Sequence, residues 1–269
     1  IYVRVGRYAD ASDVNERAVA ADRAYFGAGG VPGFYLVYFA HNLHMLAFSA
    51  MMEGRYGAAL EAARTLEREM PESFLREATG FVDGLMATPY HVMVRFGRWQ
   101  DVLREPAPPD YRVLSRAQRH YARGLALSAL GRTGEARREL EAFEAVARTV
   151  PADWTVGNNA SGDVLALARG MLSAELLWRD GRREEAFAAM RETARLEDEL
   201  VYDEPPGWMQ PVRHAFGALL MAAGRHAEAE TVYREDLERH PGNAWSLLGL
   251  HRALVAQGAD AADAADVDR

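Results

Sequence analysis

The phrase Gly6-Arg7-Tyr8-Ala9-Asp10-Ala11 returns along the chain as Gly54-Arg55-Tyr56 with Ala59, as Gly97-Arg98-Trp99 with Val102, and as Gly131-Arg132 with Ala136. It returns twice more, as Gly181-Arg182 with Ala186 and Gly224-Arg225-His226 with Ala229. A glycine ending one helix, a short polar turn and a small apolar residue five places on describe the hinge of a helical hairpin. Six copies at spacings of 48, 43, 34, 50 and 43 residues, with 34 more to Gly258, predict a stack of hairpins. In such a stack each unit buries its apolar face only against its neighbours.

Seven residues before the turn glycine, a close helix crossing calls for a small side chain. Ala47, Gly124, Ala174 and Gly217 meet that requirement and Tyr90 does not. Small residue, turn glycine, turn aromatic and then alanine resembles the tetratricopeptide repeat, most closely in Phe216-Gly217, Gly224, Ala229, Tyr233, Leu237 and Pro241. The resemblance implies an all-α fold: an α-solenoid, a right-handed superhelix of six to seven hairpins in one domain over residues 1–269. It also implies an interaction module that binds a protein or peptide segment in its concave groove. The stretches at 1–11, His41-Asn42-Leu43-His44, 94–99 and 204–213 further resemble a C-terminal part of longer bacterial tetratricopeptide-repeat proteins. That likeness implies more histidines just upstream of Ile1, and a cytoplasmic bacterial setting.

Composition narrows the function classes. The chain has 269 residues, no cysteine and no lysine, since all 31 basic residues are arginine. Disulfides, thiol catalysis, cysteine-ligated zinc, a P-loop lysine and Schiff-base chemistry are therefore absent from it. A net charge of −8 argues against a nucleic-acid partner, which requires a basic face. No apolar run is long enough to span a membrane.

Read in order, Ile1–Val5 is the end of a helix that starts upstream, so the first hairpin is expected to be among the least ordered parts. The aromatic run 34–39 reads as the lead-in to a helix through Met52. Residues 72–87 read as extra helical turns, and Thr88-Pro89 as the start of a short helix to Phe96, with Thr88 as its N-cap and Pro89 at the first helical position. Hairpins are expected at about 114–148, 163–199, 210–239 and from 243 on. Two loops separate them: Pro151–Gly162, with Trp154, Asn158 and Asn159, and Asp203-Glu204-Pro205-Pro206-Gly207-Trp208.

Positions 13, 10, 6 and 3 before each turn glycine form one stripe by helical spacing, opposite the small-residue face, and are expected to line the groove. From this stripe and its flank come the candidate ligand-binding residues Phe48, Arg95, Tyr121, Met171, Glu175, Trp178, His214 and Met221. The apolar ones would be anchors, and Arg95 or Arg179 a clamp for carboxylates. Four of the eight histidines fall on the stripe. His41 and His44, one turn apart, together with His91 on the next hairpin, form a candidate site for a divalent transition metal. The alternative is that these imidazoles hydrogen-bond a peptide or one another. His214 is expected on the same side but too far along to join them unless the superhelix curls round on itself.

Overall fold

In a computed structural model, residues 1–30 and 33–259 are described, and they fold almost entirely into helices. After a 3-10 turn at Tyr2–Val5 come α1 (Tyr8–Gly27), α2 (Leu36–Met52) and α3 (Tyr56–Glu69). The short α4 (Glu72–Glu77) and α5 (Thr79–Val82) lead into α6 (Thr88–Arg95) and α7 (Trp99–Arg104). Four regular stretches follow: α8 (Val113–Ala129) with α9 (Thr133–Ala147), α10 (Ser161–Arg179) with α11 (Arg183–Asp198), α12 (Val212–Ala222) with α13 (His226–Arg239), and α14 (Ala244–Ala256). A two-residue antiparallel pair, β1 (Thr155–Val156) and β2 (Asn159–Ala160), sits in the loop before α10.

The turn phrase has the geometry its residues call for. The six turn glycines have φ between 64° and 78°, the left-handed region that costs other residues a Cβ clash. Around each internal copy the arginine after the glycine donates its backbone N–H five residues back, as Arg55 does to Ala50 (2.8 Å) and Arg182 to Leu177 (3.0 Å). This closes the helix end in a Schellman arrangement. Ala59, Ala136, Ala186, Ala229 and Val102 have no exposed surface, because they sit where the second helix crosses the first. The sequence reading missed a further regularity. In five copies the phrase is Gly-Arg-x-x-Asp/Glu, and the arginine binds that carboxylate, for example Arg7 to Asp10 at 2.7 Å and Arg132 to Glu135 at 2.6 Å. Being exposed, each pair is screened by water and counter-ions, so it tidies the turn without determining it.

Within each hairpin the two helices pack on each other, and α3, α7, α9, α11 and α13 pack in turn on the first helix of the following hairpin. The arrangement is compatible with a solenoid. The small-residue positions matter where helices cross most closely. A Cβ on Gly217 would stand 2.4 Å from the Tyr233 ring, and one on Gly249 2.3 Å from the same ring, so the tyrosine is wedged between α12 and α14 by the absence of two side chains. Gly217→Ala is expected to destabilise by about 1–3 kcal/mol through overpacking, read as a lower urea midpoint; an unchanged midpoint would show the wedge to be loose.

Three parts differ from the sequence reading. The Thr88 hydroxyl donates to Leu85 O at 2.6 Å and does not cap α6. Ile1–Val5 forms a single 3-10 turn held on both sides: Val3 is buried, and Gly6 lies against the backbone of Pro241. Finally, the stack curls until α14 meets the early hairpins. The Trp245 indole donates to Met51 O at 2.9 Å, and its ring lies 5.7 Å from that of Phe96 and 3.9 Å from the Arg95 guanidinium.

Candidate functional site

Curling brings the connection after α11 across the inner face. The connection is tethered by Asn159, whose side chain donates to Val201 O (3.1 Å) and accepts from Val201 N–H (2.7 Å), and by Asp203, which accepts from Asn158 N–H (2.8 Å). Trp208, Met209 and Gln210 are consequently buried. They cover the part of the groove where the sequence placed a metal. His44 Nε2 faces Met209 Sδ at 3.1 Å. His91 Nδ1 accepts from the Gln210 amide at 3.0 Å and lies edge-on to Trp208 at 5.1 Å.

Both imidazoles are therefore packing residues, each only 6% exposed, and the expectation that they face an open groove is corrected. His41 remains exposed, in a small cleft beside Asp203 and Glu204. Among the described residues no group of three histidine, aspartate or glutamate side chains is placed to hold a metal ion. Phe48 is wholly buried, and Tyr121 is buried with its hydroxyl 3.2 Å from Gln210 Oε1, so neither is an accessible anchor. Trp178 packs on Phe187 at 6.0 Å, within its own hairpin.

Burial holds His44 down to about 3 and His91 to about 4. Both are neutral when folded yet protonate in the unfolded chain below about 6.5, so each adds stability at neutral pH that is lost as pH falls from 6.5 toward the folded value. Glu197, pushed up to about 8 by burial, works in the opposite sense between about 4.5 and 8. With His214, also held down to about 4, three histidines oppose one carboxyl, so acidification between about 6 and 4.5 costs stability on balance. Unfolding at pH 7 and pH 5 should show the protein weaker at pH 5, and His44→Leu should reduce the difference.

The rest of the stripe borders a cavity. Arg95, Met171, Glu175, His214 and Met221 line one cavity of about 750 Å³, together with Leu125, Ala218 and Arg179. Here the connection after α11 covers only the Tyr121 part of α8, and the rest of α8, α10 and α12 borders open space. The opposite wall was missed: Trp245, Leu248, Gly249 and Arg252 of α14 face in. Their spacing of three, four and seven residues was the legible signal.

Polar groups converge at one end. Asp236 is 1% exposed and lies 2.8 Å from His214 Nε2, while His214 Nδ1 lies 2.5 Å from an Arg95 nitrogen. Guanidinium nitrogens only donate, so Nδ1 is the acceptor and Nε2–H donates to Asp236. Burial and the neighbouring Arg95 charge hold His214 at about 4, which agrees with that neutral tautomer. Burial would push the Asp236 carboxyl up. The donors around it, His214 first and His240 next, more than reverse this and hold it below the usual range. Burial also lowers Arg95, to about 9, and Asp236 offsets part of this, so Arg95 stays cationic at neutral pH. Glu175 is neutralised locally by Arg179 Nε at 2.8 Å and accepts from the Ser128 hydroxyl at 3.0 Å.

Comparison with known family models, with curated proteins and with solved structures returned no match. No helix among the described residues is long and apolar enough to cross a membrane.

Proposed function

We propose that this chain is a binding module of tetratricopeptide type, in which the hairpins are the frame and the cavity between α6, α8, α10, α12 and α14 is the site. The carrying observation is the cavity itself. It has about 750 Å³, a wall supplied by the groove stripe of successive hairpins, and polar groups gathered at Arg95. A volume in the range of about 300–1,000 Å³ suits a compact ligand. The ligand is therefore a small, largely apolar molecule or the tip of a protein segment, and not a long extended peptide, whose path over the second and third hairpins is occupied by Trp208–Gln210.

Methionine methyls test this directly. Met171, Met190 and Met221 line the cavity, whereas Met45, Met86 and Met93 are packed elsewhere in the core. With methyl-labelled methionine, a titration of octan-1-ol or short leucine peptides should give saturable shifts at the three cavity methyls. Shifts centred on Met86 or Met93, or none at all, would remove the cavity as the site.

A further inference from the structure

The polar end of the cavity specifies more than an apolar ligand. Arg95 spends one of its N–H groups on His214 and lays its face on Trp245, but its Nε is buried with no hydrogen-bond partner. A buried N–H without an acceptor is costly, and this guanidinium borders open space. Its counter-charge, Asp236, is held one imidazole away by His214, so the charge is balanced at a distance while the donors stay unmet.

The surrounding charges set how much negative charge is welcome. Glu175 stands in the same wall and Asp236 lies behind it; a dianion would face both carboxylates. Arg252, at the mouth beside the half-exposed Leu248, adds a second cation, and Tyr233 lies within reach of both arginine charges. Away from this end the wall is Leu125, Met171, Met190, Leu219 and Met221, which offers a polar head no hydrogen bonds.

We infer that the cavity binds a monocarboxylate with an apolar body, its carboxylate on Arg95 and its body along the methionine-lined wall. This rests on the cavity being the ligand site. Two sources share that chemistry, a free medium-chain carboxylic acid and the carboxyl end of an apolar peptide.

The test compares octanoate, octan-1-ol and octylamine on the intact protein, reading dissociation constants from the Met171, Met190 and Met221 methyls. A charge-assisted bond to Arg95 predicts octanoate binding about tenfold or more tighter than octanol, and octylamine weakest. Acetyl-Leu-Leu-Leu with a free carboxylate and the same peptide as its amide form the second arm. Preference for octanoate assigns a small-molecule ligand, and preference for the free-acid peptide over its amide assigns a segment end; either supports the carboxylate site.

Arg95→Gln should erase the octanoate advantage over octanol. Should that variant fold poorly, Arg252→Gln, at the exposed mouth, should reduce the advantage severalfold. Equal binding of octanoate, octanol and octylamine would overturn the carboxylate site and leave the apolar binding site standing. Failure of every probe to move the cavity methyls would remove both.

Discussion

Asp236→Ala is expected to lower folding stability by about 3–5 kcal/mol, the range for removing one partner of a buried, hydrogen-bonded charge system. The carboxylate accepts from His214 Nε2 at 2.8 Å, His240 Nδ1 at 3.1 Å, the Asn243 amide at 3.0 Å and the Ser246 hydroxyl at 2.6 Å. These donors come from α12, the end of α13 and the start of α14, so a single side chain pins three consecutive elements. Its removal strands four donors and leaves Arg95 without its counter-charge. Asn243→Ala should cost less, about 1–2 kcal/mol, since it loses the N-cap bond from Ser246 N–H at 2.9 Å and only one of the four donors to Asp236. Urea midpoints for the two variants measure the contrast. If Asp236→Ala cost no more than Asn243→Ala, Asp236 would be an ordinary cap and not the balancing charge of the cavity.

What was legible in the sequence follows the range of the interactions involved. The turn phrase is local: a left-handed glycine, a Schellman closure and an alanine five residues on depend on neighbours within one hairpin, and all six copies take the expected glycine conformation. The groove stripe depends on the next hairpin, and Met171, Glu175, His214 and Met221 line one cavity because α10 and α12 belong to the regular stack.

His44, His91 and Tyr121 obey the same spacing and are nonetheless buried, because what covers them arrives from more than eighty residues away. Glu204-Pro205-Pro206-Gly207 announces a break in helix, and the following Trp208-Met209 announces an apolar pair needing burial; neither says against which surface. His214 was placed beyond the reach of the early hairpins unless the stack curled. It does curl, and it brings His214 against Arg95 of α6.

Curling can be tested apart from helix formation by comparing two turn glycines. Gly6 and Gly54 have nearly the same backbone, φ 75° and 78°, and differ in surroundings: a Cβ on Gly54 meets nothing within 4 Å, whereas one on Gly6 would stand 2.4 Å from the backbone oxygen of Pro241. Replacing either by alanine incurs the cost of a left-handed non-glycine residue, about 1 kcal/mol. For Gly54→Ala that is the whole effect. For Gly6→Ala the added methyl also pushes on a main-chain carbonyl that has no rotamer to escape into, so overpacking of about 1–3 kcal/mol is added and the total reaches about 2–4 kcal/mol. The extra cost should also have a location. Hydrogen exchange should accelerate in Gly6→Ala at both ends of the contact, at Arg7 and Ala11 and again around Leu247, while Gly54→Ala loosens only its own hairpin. Equal costs for the two variants, with exchange in 240–250 unchanged, would mean that the chain's start and its last hairpin do not touch in solution.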